Sequence, residues 1–150
     1  MAQGSDPIPR TAFWLGAAGL VPFVVLASAM HALPDYRPML VFWLTSYAAV
    51  ILSFVGAVHW GAAMLHPRMN EGDRAVFMTW SVIPALAAWG ALLMPAKTGL
   101  LLMAATFAAH YGADRQFAQR FPLPPWYLRL RAGLSTVVVV CLLLAILRVQ

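Results

Sequence analysis

Five long apolar runs, joined by short polar stretches, make up nearly all of the chain: Thr11–Ala32, Pro38–Leu65, Arg74–Met94, Lys97–Ala113 and Trp126–Leu147. A helix crossing the hydrocarbon core of a bilayer needs about 20 mostly apolar residues, so each run reads as a transmembrane helix. The fourth is the shortest, and its end is expected at the lipid headgroups. Ahead of the first run, Met1–Pro9 is a polar leader containing Gly4, Ser5, Pro7 and Pro9. The leader is not basic and no small-residue cleavage site follows it, so the first run is not read as a cleaved signal. The expected organisation is a flexible tail over residues 1–10 and a five-helix transmembrane domain over 11–150, an all-α integral membrane bundle.

Two of the runs end alike. The second closes on Ala57-Val58-His59-Trp60-Gly61-Ala62 and the fourth on Ala108-Ala109-His110-Tyr111-Gly112-Ala113. Each is preceded by a run with an internal proline, Pro22 in the first and Pro84 in the third, where a lost backbone bond favours a kink. The pattern predicts two parallel helical hairpins related by an axis along the membrane normal, with a fifth helix added.

Composition supports the membrane setting. The chain is 62% hydrophobic and only 10% charged, whereas soluble domains are about a quarter charged. A soluble fold of this size would lack polar surface. The net charge of +5 does not point to nucleic acid, because the basic residues lie mostly in the joints between runs. Seven of the ten fall on one side: Arg10, Arg68, Arg74, Arg115, Arg120, Arg129 and Arg131. Arg37, Lys97 and Arg148 fall on the other. By the positive-inside rule the N-terminus is inside and the C-terminus outside, with anionic lipid expected against the basic inner face. The one cysteine, Cys141, sits in an apolar run, so there is no disulfide framework to read.

The residues that could carry chemistry gather at the inner end. His59 is the most deeply placed, and an ionisable side chain inside a membrane run is costly enough to need a reason. Two readings stand: a ligand, proton relay or cofactor contact, and a neutral imidazole hydrogen-bonded between helices. His110 and Asp114 are four residues apart and share one helix face. The carboxylate either orients the histidine or marks the membrane exit, paired with Arg115 or another basic loop residue. Histidines on different helices could be axial haem ligands, with Trp14, Trp60, Trp80 and Tyr111 packing on the ring. No zinc site is read, since HExxH and CxxC patterns are missing and Cys141 lies near the opposite side. Trp126, Tyr127, Arg129 and Arg131 suit an anchor at the headgroups, or contacts to a phosphate-bearing ligand. No nucleophile–base–acid set, phosphate loop or nucleotide fingerprint is visible.

The segment Leu52-Ser53-Phe54-Val55-Gly56-Ala57-Val58-His59-Trp60-Gly61 resembles the Ser-Phe-x-Gly-x-x-His-Trp-Gly signature of a small membrane-protein family of unknown function. That family includes bacterial inner-membrane proteins and a mitochondrial relative, transmembrane protein sixty-nine. Gly16-x-x-Gly19-Leu20-x-Pro22-Phe23, Ser81-Val82-Ile83-Pro84, Asp114-Arg115 and Pro125-Trp126-Tyr127-x-x-Leu130-Arg131 fit as well. The resemblance covers about Ala12 to Val140 and implies a multi-helix protein of the bacterial or mitochondrial inner membrane. It implies no activity, and His110 does not match the family pattern. The likeness to tryptophan-rich sensory proteins, which bind porphyrin and sterol, is one of size and helix count alone.

With no catalytic set in view, the expected role is non-enzymatic: an accessory or assembly subunit packing against other membrane-protein subunits. Small residues at helix faces, Gly56, Gly61, Ala62 and Ala63, would permit that packing. The alternatives are a binding protein for a small apolar or tetrapyrrole ligand, and a proton-coupled carrier using His59 and Asp114. The ligand site would be formed by His59, Trp60, Trp80, Asp114 and Arg129, with haem as its one named cofactor, held by His59 and His110.

Overall fold

A computed structural model describes residues 7–121 and 123–149. Five helices follow one another: α1 (Arg10–Ala32), α2 (Arg37–Leu65), α3 (Glu71–Leu92), α4 (Ala96–Arg120) and α5 (Pro125–Ile146), with a 3-10 turn at Pro34–Tyr36. No strand occurs among the described residues. Of the tail expected over residues 1–10, residues 1–6 lie outside the described residues, and Arg10 already opens α1. The helices α1, α2, α3 and α5 are long and apolar enough to cross a membrane. At 25 residues α4 is also long enough. Lys97 and the polar stretch from His110 to Arg120 lower its hydropathy.

Two helix ends differ from the expected ones, each for a local reason. Helix α3 starts at Glu71 rather than Arg74, because the Asn70 side chain accepts a hydrogen bond from Asp73 N at 2.8 Å. Its amide also donates to Asp73 Oδ2 at 2.7 Å, and Glu71 and Asp73 add negative charge to the first turn. Helix α4 runs on to Arg120 instead of stopping at Ala113. Its inward stripe, Leu100, Met103, Phe107, His110 and Asp114, keeps the three- and four-residue spacing of a buried helix face and passes on into Phe117. Asp114 is not an exit marker; it is fully buried.

The helices close into a ring. Each packs on the next, α5 packs back on α1, and α2 touches α4 across the middle. Two close approaches set the spacing. A Cβ placed on Gly56 would lie 2.5 Å from the Ser81 carbonyl oxygen and 3.4 Å from the Pro84 ring, so α2 and α3 meet backbone to backbone there. Gly99 likewise lies directly against the Ala91 carbonyl, closing the α3–α4 joint. Helices α1 and α3 remain helical through Pro22 and Pro84.

The apolar core fills mainly the end of the bundle that holds the C-terminal half of α1, around Met30, Leu44, Leu100, Met103 and Leu142. A smaller cluster of Ala63, Met69 and Phe77, with Phe117 and Phe121 packed on it, seals the opposite end. Between them lies a polar layer. All the buried residues of α1, which are Phe23, Ala27 and Met30, lie in its second half. The N-terminal half of α1, the inner half in the expected orientation, therefore packs more loosely than the rest of the ring.

Candidate functional site

The polar layer is built from four helices. His59 comes from α2, Trp80 from α3, His110 and Asp114 from α4, and Arg131 from α5. Each of the four ionisable residues sits on its helix's inward stripe. Arg131, for example, begins the series Arg131, Ser135, Val138, Leu142 and Ala145. In lipid such groups persist only when they face the interior and find partners.

Asp114 is the centre. Its Oδ2 accepts from Arg131 Nε at 2.9 Å, and both side chains are buried. Its Oδ1 lies 3.3 Å from His59 Nε2, without hydrogen-bond alignment. A charge-assisted bond of the first kind is among the stronger non-covalent links a protein makes. Here it joins α4 to α5. The Arg131 Nη2 atom is buried without an aligned hydrogen bond.

The two histidines touch, ring centroids 4.9 Å apart and edge to face, yet they are bonded differently. Trp80 Nε1 donates to His110 Nδ1 at 3.1 Å, so that nitrogen is an acceptor. The ring proton is then assigned to Nε2, which lies 3.2 Å from the Val55 carbonyl oxygen and donates to it. His110 is thus a neutral imidazole bridging α3, α4 and α2. Neither nitrogen of His59 has an aligned partner. Its ring is held by packing against Phe117 at 5.0 Å and Phe77 at 5.8 Å, and those two phenyl rings stack at 4.1 Å.

This geometry does not suit a haem between the two histidines. Axial ligands lie on opposite faces of a macrocycle, whereas these rings meet edge to face and His110 has both nitrogens engaged. His59, His110 and Asp114 do offer ligand atoms within 4.8 Å of one another. The Arg131 guanidinium on Asp114 and the two bonds of His110 oppose a cation there.

The five expected ligand-site residues separate into two groups. His59, Asp114 and Trp80 join the polar layer. Trp60 is 45% exposed and faces away from it, and Arg129 is exposed on α5. Arg131, read from the sequence as a headgroup contact, is instead the buried partner of Asp114. The phenyl rings of Phe77 and Phe117, and the Ser135 hydroxyl, were not anticipated. The inward stripe of α5 carries the missing signal, since an arginine on a membrane helix's core-facing stripe requires a buried partner.

Comparison with known proteins places the chain among relatives of similar kind. Residues 8–147 match the family described as "Protein of unknown function (DUF3429)". A Xenopus tropicalis protein named "Transmembrane protein 69" is 37% identical over 135 residues, covering 87% of this chain and 51% of that protein. A Mus musculus protein of the same name is 24% identical over 123 residues, covering 82% and 50%. The chain spans about half the length of these relatives. No solved structure matches it.

Proposed function

The chain belongs to the DUF3429 family, and from that premise we propose that it is a non-enzymatic accessory or assembly subunit of a larger complex in a bacterial or mitochondrial inner membrane. In this reading all five helices cross the bilayer, with the N-terminus inside and the C-terminus outside. The basic residues concentrated at the inner end meet anionic lipid.

One observation carries the proposal. In the segment of family resemblance, His59 turns inward while its neighbours Trp60 and Gly61 turn outward. A Cβ on Gly61 would have no atom within 4 Å, so nothing among the described residues uses the space that the glycine leaves. Gly112 in the second copy is equally open, as are Gly90 on α3 and Gly133 on α5. Glycine weakens a helix by about 1 kcal/mol relative to alanine unless something uses its small size. In membranes that use is the close approach of another helix.

Native gels of gently solubilised membranes test this. The wild type is expected to migrate in a complex, and Gly61→Leu to migrate at monomer mass with unchanged helicity and melting temperature. Wild type found only at monomer mass would refute the subunit reading. A complex containing only this chain would replace it with self-association.

The carrier reading is favoured by His59, whose unbonded nitrogens lie beside a buried carboxylate. Its test is whether His59→Gln and Asp114→Asn change the pH dependence of a growth or transport phenotype; no change at either position argues against it.

A further inference from the structure

The loose N-terminal half of α1 leaves a cleft of about 500 Å³ between α1, α2 and α5, floored by Phe107 of α4. Its walls are apolar, with Gly19 and Phe23 on one side, Val58 on another and Leu130 on the third. Into the same cleft come three polar side chains from α5: Tyr127, Arg131 and Ser135. Ser135 Oγ is buried and has no hydrogen-bond partner, and the Tyr127 hydroxyl and Arg131 Nη2 are buried without an aligned bond although the Tyr127 and Arg131 side chains lie close to each other. Both Arg131 and Ser135 are more than nine-tenths buried, at 6% and 5% exposure.

Three buried polar groups on one side of an apolar cleft, none in an aligned hydrogen bond with the rest of the chain, are hard to explain as packing. Each buried, unpaired polar group costs free energy, and an alanine or phenylalanine would remove the two hydroxyls at no steric cost. They lie four residues apart, so they form one row along α5, spanning about 12 Å at 1.5 Å per residue. The size falls within the range of small-molecule sites, where an apolar wall with a few convergent polar groups is the rule.

The chemistry narrows the occupant. Arg131 Nη2 can only donate, and both hydroxyls can donate. The ligand must therefore present an acceptor. The arginine's charge is already met by Asp114 at 2.9 Å. An anionic head would bring a second negative charge beside that carboxylate, so the acceptor is neutral. We propose that the cleft binds a neutral, lipid-soluble carbonyl compound of the quinone class, its two carbonyl oxygens meeting donors at different points along the row of Tyr127, Arg131 and Ser135 and its apolar part lying along α1. The site is independent of the subunit reading, since Gly61 and Trp60 do not line it.

The experiment uses the full chain in phosphatidylcholine nanodiscs. The probe is a benzoquinone bearing a ten-carbon alkyl chain, followed by quenching of tryptophan fluorescence, Trp126 being at the cleft wall. Decylbenzene, which has no acceptor, is the competitor. Quenching is expected to saturate, and decylbenzene is expected to relieve it only when present in at least about tenfold excess over the quinone. The double variant Tyr127→Phe/Ser135→Ala is expected to lose about tenfold in quinone affinity while keeping that for decylbenzene. Gly19→Leu is expected to abolish both, because a Cβ there meets only the Tyr47 hydroxyl at 4.0 Å and a larger side chain can enter the cleft without a clash. Equal affinity for the two probes, or a double variant that binds quinone like the wild type, would overturn the proposal and leave the cleft as a seat for lipid chains. Unchanged binding in Gly19→Leu would overturn it too, by placing the quinone elsewhere.

Discussion

The two histidine motifs have nearly the same sequence and occupy neighbouring helices, but their imidazoles are bonded in opposite ways. His110 has both nitrogens engaged, by the Trp80 indole and the Val55 carbonyl. His59, in ring contact with it, has neither nitrogen in an aligned bond and is held by phenyl rings. The difference comes from what each helix faces. His110 meets α3 where Trp80 presents an N–H, and meets α2 where a carbonyl is within reach. His59 meets aromatic rings of α3 and α4, with only one oxygen of a carboxylate that already serves Arg131. One histidine ties helices together, and the other is held by packing with both nitrogens uncommitted.

The largest expected effect tests who neutralises Asp114. Removing one partner of a buried ion pair costs about 3–5 kcal/mol, so Arg131→Ala should lower the unfolding free energy in detergent by that much. Replacing both Asp114 and Arg131 with apolar residues of similar volume should recover most of it. A mild effect of Arg131→Ala would make His59 the true counter-ion and erase the contrast between the histidines.

The next effect compares the histidines directly. His110→Phe strands the Trp80 N–H and removes the second bond of the Val55 carbonyl, which keeps its bond within α2, for an expected loss of about 1–3 kcal/mol. His59→Phe removes no aligned bond and keeps the aromatic packing, so its cost should stay within about 1 kcal/mol. Thermal melts of the two variants in one detergent decide it, and the reverse order would show that the bonding pattern has been assigned to the wrong ring.

The smallest effect separates the glycines beside His59. Gly56→Ala forces a Cβ against the Ser81 backbone carbonyl and should destabilise by about 1–3 kcal/mol. Gly61→Ala meets nothing within the chain and should stabilise the isolated protein by up to about 1 kcal/mol through helix propensity. If Gly61→Ala also weakens a native complex, the outward face of the motif has a partner.

Much of the architecture was legible without coordinates. The five helices coincide with the five apolar runs to within a few residues, because the length of a hydrophobic run is a local property that the bilayer measures directly; the exception is α4, which runs on from Ala113 to Arg120. Hydropathy placed the start of α3 three residues late, because the polar cap of Asn70 and Asp73 that sets it at Glu71 carries no hydropathy signal. The depth of His59 and the shared face of His110 and Asp114 followed from run position and helical spacing. The choice of Arg131 over Arg115 as the partner of Asp114 did not. Nor did the outward turn of Trp60, the split in bonding between His59 and His110, or the cleft beside α1. An ion pair between α4 and α5, and a hydrogen bond from α3 to α4, depend on which helices adjoin and at what height they meet. That register is settled by the backbone contacts at Gly56 and Gly99 and by α5 closing the ring on α1. Sequence by itself determined how many helices form and which faces are apolar. Only the packed ring decided which polar groups on those faces find partners, because partnership is a property of two helices and periodicity is a property of one.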